Sequence, residues 1–322
     1  MQPTVSVIIP VYNGEQTLAA CVTSFLRQTY PNIEILIIDD GSADRTPEIA
    51  GILQAGDPRV NVLRKENGGP ASARNLGIAH AKGDRLCFAD SDDWVEPEFV
   101  AKLLEEACDL AVCGYFAGEQ PVVPERPKMV RSADFKTQML LPQDRAWGGF
   151  VWNKLYKTEI LRQFSLSFPE DCTVFEDIVF NYRYLAHCER VYLCGEPLYH
   201  YSLHSGSLTK KLGDDPATVQ KWLNYADAFD LLLPYETDKN VQTLLLMQKV
   251  LHTSTAVRAL YACGKKKHPQ YMEKRRFLRT HLCRFLLYRH IPAKKKIGAV
   301  LTAFLPRLAL ILWKQGESVW KK

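Results

Sequence analysis

Three carboxylates fall within four positions of the segment FADSDD, at Asp90, Asp92 and Asp93. Like charges this close repel one another. An oxygen-only donor set suits a hard divalent cation, Mg²⁺ or Mn²⁺, which keeps several waters and takes further ligands from substrate phosphates. The same residues alone also fit a solvated acidic turn anchored by Trp94. A second acidic cluster, Asp39-Asp40-Gly41-Ser42, could accept a hydrogen bond from a nucleobase imide or a ribose hydroxyl, or form an Asx turn. A third segment, KENGGPASARN from Lys65 to Asn75, places Gly68-Gly69 before a helical pattern. Such a helix entry presents backbone N–H groups to anions, and Arg74 could contact a phosphate there.

These clusters need elements that bring them together. VSVIIP from Val5 to Pro10, EILIID from Glu34 to Asp39, Val60–Leu63 and RLCFA from Arg85 to Ala89 are short apolar runs of the kind that form buried parallel strands. Between them lie helical patterns. One carries Leu18, Val22, Phe25 and Leu26 on one face. The next begins at Thr46-Pro47, with threonine as the expected N-cap. A third spans Ala71–Lys82 and stops at Gly83. Alternation of this kind predicts an α/β fold with a mainly parallel sheet flanked by helices. Ligands bind such sheets outside the carboxyl ends of the strands. Tyr12-Asn13, Asp39–Ser42 and Asp90–Asp93 all follow strands, so three strand ends are expected on one rim. Further on, residues 117–128 are expected to be a surface loop and residues 174–187 a helix. From about residue 217 the pattern is helical.

The chain has 322 residues with 47% hydrophobic and 24% charged residues, enough for a large core, which excludes a disordered, collagen-like or disulfide-stapled protein. Nine scattered cysteines, none in a CxxC pair, are expected to be reduced thiols of a cytoplasmic protein, and no signal peptide is evident. Residues 246–322 hold 18 Lys and Arg against two acids, a net of +16, whereas the remainder nets −11. A basic quarter on an acidic body implies an anionic partner. Basic triplets at Lys265–Lys267, Lys274–Arg276 and Lys294–Lys296 alternate with Phe277, Leu278 and Phe285–Tyr288. This pattern suits helices lying in an anionic membrane interface, peripheral to the membrane rather than spanning it. The same residues could instead pack on the body of the protein or on a second subunit as a homodimer. The apolar stretch Ile297–Trp313 is interrupted by Pro306-Arg307 and makes a poor membrane span.

SVIIPVYN, IIDDGSADRT, NGGPASARNLGIAHAKGD and FADSDDW, in this order and spacing, resemble the family 2 glycosyltransferases of GT-A fold. VWNKLYKTEIL (151–161), FEDIVF (175–180) and YHYSLHSGSL (199–208) resemble the bacterial capsule, exopolysaccharide and lipopolysaccharide branch of that family. The resemblance implies a catalytic domain over 1–212, with a nucleotide-sugar half at 1–110 and an acceptor half at 111–212, followed by a helical basic region at 213–322. It implies that Tyr12 and Asp40 hold the base, with Pro10 lining that pocket, that Arg74 lies near the phosphates, and that Asp90 lies towards the ribose. Asp92 would coordinate Mn²⁺ or Mg²⁺, and Asp93 extends the acidic cluster. The expected reaction moves a sugar, with inversion, from a nucleoside diphosphate donor such as a UDP-sugar to a glycan or polyprenyl-linked acceptor. In FEDIVF, Thr173-x-x-Glu176 fits a capping box that would occupy Glu176 and leave Asp177 as the general base. Trp152, Asn153 and Lys154 are expected on the acceptor or sugar side. His200 and His204 are candidates for contact with the diphosphate.

Three rivals stand beside this reading. A nucleic-acid-binding protein could use the basic quarter, but no nucleic-acid motif is present and acidic strand ends are poor company for phosphate backbones. A dinucleotide oxidoreductase is disfavoured because no GxGxxG follows the first strand. A catalytically dead nucleotide-sugar sensor is disfavoured by retention of the motifs.

Overall fold

A computed structural model of the chain describes residues 4–123, 126–141, 148–170, 172, 175–202, 216–265 and 267–319. They divide into two compact units, Met1–Asp171 with Glu176–Ser205, and Cys172–Phe175 with Gly206–Lys322.

The first unit runs β1 (Val5–Val11), α1 (Leu18–Leu26), β2 (Ile33–Asp39), α2 (Thr46–Gly56), β3 (Val60–Arg64), α3 (Gly69–His80), β4 (Arg85–Phe88), β5 (Trp94–Val95), α4 (Phe99–Leu103), β6 (Leu110–Ala117), β7 (Gln120–Val122), β8 (Lys128–Arg131), α5 (Ser132–Met139), β9 (Lys154–Lys157), α6 (Thr158–Gln163), α7 (Glu176–Leu185) and β10 (Arg190–Tyr201). One sheet has the order β3-β2-β1-β4-β9-β6-β10-β5, with β7 on β6 and β8 on β10. The four strands β3, β2, β1 and β4 are mutually parallel. β9 is antiparallel to both β4 and β6, which themselves run the same way.

The sequence explains the sheet's centre. Every residue of β1 is buried, as a strand covered on both faces requires. Val5, Val7 and Ile9 join Leu18, Val22 and Phe25 of α1 in one core. On the other face Phe88 meets Tyr156, Phe168 and Phe180 edge-on at centroid separations of 5.2–5.7 Å. Pro10 is tolerated in this central strand for a specific reason. Ile8 accepts a hydrogen bond from Ala89 on the β4 side, and Val11 accepts one from Asp40 on the β2 side. By alternation Pro10 faces β4, whose ladder with β1 has already ended at Ile8–Phe88. Its missing N–H therefore removes no ladder bond.

Two local expectations are corrected. Residues 117–128 are not simply a loop, because Gln120–Val122 pairs with β6 and Lys128 begins a strand that pairs with β10. Thr46 does not cap α2. Arg45 holds the cap position, and the buried Thr46 hydroxyl accepts from the Gly14 amide at 2.8 Å.

The second unit is helical, with α8 (Pro216–Ala228), α9 (Lys239–Ala262), α10 (Pro269–Leu287), α11 (Ala293–Phe304) and α12 (Pro306–Val319). Met247 and Val250 of α9 pack with Leu278, Leu282 and Phe285 of α10 and with Ala299 and Ala303 of α11. Val257 and Leu260 of α9 pack with Val219 and Leu223 of α8. Asp238 caps α9, accepting from the Asn240 amide at 2.7 Å. The apolar stretch 297–313 breaks at Leu305, ahead of Pro306, as its composition implied. Among the described residues no helix is long and apolar enough to cross a membrane. All nine cysteines are free thiols.

Candidate active site

The acidic pair after β2 divides its labour. Asp39 turns inward, where it accepts from the Ser42 amide at 2.9 Å and lies 3.2 Å from the Arg64 guanidinium. Ser42 in turn accepts from the Asn13 amide, and the Asn13 side chain accepts from the Ala43 amide, both at 2.9 Å. The loops after β1 and β2 are thereby tied together. Gly41 joins them with φ of +79°, and a Cβ there would meet the Asn67 amide nitrogen at 2.9 Å, so only glycine fits. Asp40 reaches the third loop. It accepts from Lys65 Nζ at 2.8 Å and from the Gly68 and Gly69 amides at 3.0 and 2.7 Å. Beside it Gly41, Arg64, Lys65, Glu66 and Asn67 line an open depression of about 540 Å³. Tyr12, just past β1, is 55% exposed at the same sheet edge, and Pro10 is buried within the strand.

Arg74, on α3, is the hub of the site. It is 5% exposed. Its Nη2 donates to Asp90 Oδ1 at 3.0 Å and its Nη1 to Asp177 Oδ1 at 3.0 Å, with Glu176 Oε1 at 3.5 Å from the same nitrogen. The guanidinium also lies 5.4 Å over the Phe168 ring. Burial disfavours the cation, but Asp177, Asp90 and Glu176 outweigh it and hold the Arg74 pKa above its ordinary value. Burial pushes the Asp177 carboxyl up, to about 7, against the pull of Arg74, with Glu176 and Asp90 reinforcing the rise. Three carboxylates from two distant stretches of chain thus share one guanidinium. Thr173, the other half of the capping box expected for Glu176, lies outside the described residues.

The turn after β4 exposes Asp92 and half-buries Asp90, but Asp93 faces inward. Asp93 is 2% exposed and accepts from the Tyr199 hydroxyl and the Ser202 amide, both at 2.7 Å. Burial and the neighbouring Asp90 raise its pKa to about 8. The Tyr199 hydroxyl also accepts from the Asp90 amide at 3.1 Å. Asp93 therefore anchors the end of β10 to the acidic turn instead of adding charge to the rim. Tyr199 gave no such signal in the sequence. Among the described residues no group of three His, Cys, Asp or Glu side chains is arranged to hold a metal ion. Asp90 and Asp92 supply oxygen donors of the kind a hard divalent ion takes, and such an ion would draw its remaining ligands from diphosphate and water.

His200 is pinned in place. Its Nε2 lies 2.7 Å from Glu96 Oε1, and its ring stacks on Trp94 at 3.3 Å and on Phe116 at 4.4 Å. His204 lies outside the described residues.

Trp152, Asn153 and Lys154, expected on the acceptor side, are buried within the first unit. Trp152 stacks between Phe150 and Tyr199, at 4.7 and 4.4 Å. The Asn153 amide donates to the Cys113 carbonyl at 2.8 Å. Lys154 Nζ donates to the carbonyls of Gly148 and Phe150, at 2.8 and 2.6 Å, and to Asn153 Oδ1 at 2.8 Å. Burial pushes its pKa down, to about 7, with Cys113 and Asp177 opposing. Asn181 of α7 donates to the Gly149 carbonyl at 2.6 Å. A Cβ on Gly149 would meet Ile178 at 2.2 Å, one residue from Asp177. Lys154 and Asn181 therefore clamp the 148–150 turn against the helix that carries Asp177. Lys154→Met is expected to lower unfolding stability by about 2–4 kcal/mol, because it strands one buried and two part-buried acceptors. The check is urea denaturation, and an unchanged midpoint would show that the turn holds without the ammonium.

Residues 6–166 match the family model described as glycosyl transferase family 2. The chain is 36% identical over 220 residues to the uncharacterized glycosyltransferase EpsJ of Bacillus subtilis (strain 168), a match taking in 65% of this chain and 64% of EpsJ. The matched region thus spans just under two thirds of that relative's length. Among solved structures, residues 1–349 of S. aureus TarS, crystallised with UDP-GlcNAc, superpose with a TM-score of 0.63 at 19% identity, covering 97% of this chain and 92% of that one. The mannosyltransferase PcManGT from Pyrobaculum calidifontis, in complex with GDP-Man and Mn²⁺, gives a TM-score of 0.57 at 16% identity, covering 100% and 88%. At these identities the structural likeness concerns the fold, which is the GT-A fold that the family resemblance implied. With half its length, including all three acidic or glycine-rich loops of the rim, inside the family model, the chain belongs to glycosyl transferase family 2.

Proposed function

We propose that the chain transfers a sugar from a nucleoside diphosphate donor, a UDP-sugar, to a hydroxyl of a glycan or lipid-linked acceptor in surface-polysaccharide assembly. The anomeric carbon is inverted. The observation that carries this reading is the bridge through Arg74 between Asp90, after β4, and Asp177, at the start of α7. It puts the acidic turn and a carboxyl with a raised pKa in one cluster, on the edge where Asp40 organises the glycine-rich loop.

The nucleotide occupies the depression beside Asp40, with Tyr12 as the platform for the base. Asp92, assisted by Asp90, holds Mn²⁺ or Mg²⁺, which when bound neutralises charge on the departing diphosphate. Asp177 takes the proton from the acceptor hydroxyl as its oxygen forms the new bond to the anomeric carbon and the bond to diphosphate breaks. Arg74 keeps Asp177 aimed. TarS with UDP-GlcNAc and PcManGT with GDP-Man and Mn²⁺ support a nucleotide-sugar donor and a divalent ion.

Thermal melting with UDP, UDP-GlcNAc and GDP-mannose, with and without Mn²⁺, tests the reading. A ligand at about 100 times its Kd adds roughly 2.7 kcal/mol of stability. The expected result is a Mn²⁺-dependent rise with the uridine ligands, and Asp92→Ala is expected to keep the ligand-free melting temperature and lose that rise. No shift with any nucleotide in Mn²⁺ or Mg²⁺ would overturn the proposal. A rise with the guanosine ligand alone would overturn its donor assignment.

A further inference from the structure

The corner where α11 meets α12 is built with its side-chain sizes reversed. Its buried positions carry small residues, namely Ala299, Thr302 and Ala303 on α11 and Ala309 on α12. Its large apolar side chains point outward. Ile297, Phe304, Leu305, Leu308, Ile311 and Leu312 are each between 42% and 59% exposed. On α12, Leu308, Ile311 and Leu312 have the spacing of a single helix face. Between Tyr261 and the segment Phe304–Ile311 lies an open apolar depression of about 430 Å³. A helix packed for stability alone would bury its large residues. Phe304, Leu305, Leu308 and Ile311 line the depression together, and a contiguous exposed set of this kind marks an interaction surface.

The charges around this ridge identify the partner. No acidic residue occurs between Glu273 and Glu317. Lys294 and Lys295 are exposed in the first turn of α11, and Arg307 is exposed in the first turn of α12. The Arg279 guanidinium lies 5.2 Å over the exposed Phe304 ring. Arg275 and Arg279 each donate to the Ala303 carbonyl at 3.0 Å, so they also close the end of α11 and are held beside the ridge. A nucleic acid would match the cations but leave six large apolar side chains in water. A second protein chain would match the apolar ridge but need acids to answer the cations. An anionic bilayer answers both, taking the apolar side chains into the acyl boundary and the cations among the headgroups.

We propose that the α11–α12 corner is the surface by which this protein docks on an anionic lipid bilayer, lying in the interface without spanning it. Docking is independent of the donor site, so it can fail while the glycosyltransferase reading stands.

The test is co-sedimentation of the full chain with vesicles made of equal parts phosphatidylglycerol and phosphatidylcholine, and with vesicles of phosphatidylcholine alone. The expected result is partitioning onto the anionic vesicles that falls as salt is raised. Leu308→Glu combined with Ile311→Glu is expected to reduce that partitioning at least about tenfold, because both side chains leave the acyl boundary. Both residues are exposed, so the melting temperature is expected to stay at the wild-type value. Should the double variant lose its melting transition, Leu308→Gln alone is measured against the same criterion. Equal binding to the two vesicle types, or wild-type binding by a folded variant, would overturn the proposal. So would a soluble dimer dissociated by these substitutions without vesicle binding, or binding of oligonucleotides in place of vesicles.

Discussion

Asp177→Asn is expected to lower the rate of sugar transfer by roughly 10²–10⁴-fold, with affinity for the nucleotide-sugar changed by no more than a few fold. The amide is isosteric with the carboxylate and its oxygen can still accept from Arg74 Nη1, now 3.0 Å from Asp177 Oδ1. What it lacks is the capacity to take a proton. Because the defect lies in a transition-state interaction, kcat and kcat/KM are expected to fall together. Glu176→Gln is expected to fall by less than about tenfold, because Glu176 lies farther from Arg74, at 3.5 Å, and its loss leaves the base in place. The pH dependence supplies a second signature. A base works in its ionised form, so activity falls as pH drops through its pKa. Burial sets that pKa near 7 for Asp177, well above the ordinary carboxylate range. An acid limb near pH 7 is therefore expected in the native enzyme and its disappearance in Asp177→Asn. Near-normal turnover by Asp177→Asn would remove Asp177 from this role.

The strand ends that carry the site were legible because their signals are local. A buried parallel strand is a continuous apolar run, and the polar residue that stops it marks the rim. Asp40, Asp90 and Asp92 could be placed on one edge from that alternation alone. Contacts made across the fold were not legible. Nothing local distinguishes Asp93 from Asp92, yet one bonds to Tyr199 indoors while the other is exposed. Lys154 has the formula of a surface residue, but Gly148, Phe150 and Asn153 supply three oxygens inside the protein. The short pairings of Gln120–Val122 and of the strand from Lys128 escaped for a different reason. Their segment is rich in proline, and edge strands of three or four residues carry too little periodicity to read.

Arg74→Met is expected to be among the costly single changes to stability near the site, and the cost is expected to depend on pH. The substitution leaves Asp90, Glu176 and Asp177 facing one another without their shared cation. Removing one partner of a buried ion pair costs about 3–5 kcal/mol. The three carboxylates keep 33%, 17% and 23% of their side chains in contact with solvent, so roughly 2–4 kcal/mol is the expected loss at pH 8. The direction with pH follows from proton binding. Arg74 holds the pKa of Asp177 down, so its removal lets that pKa rise further above the unfolded value. Between the two values the folded state binds more protons than the unfolded state, and stability increases as pH falls. Urea unfolding is therefore expected to show a smaller difference between variant and wild type at pH 5.5 than at pH 8. The acid limb of the activity profile is expected to move upward from its native position. A cost equal at both pH values, or an acid limb that stays in place, would show that Arg74 does not set the ionisation of Asp177. In that case its contact with the Phe168 ring would be left as the main reason for its burial.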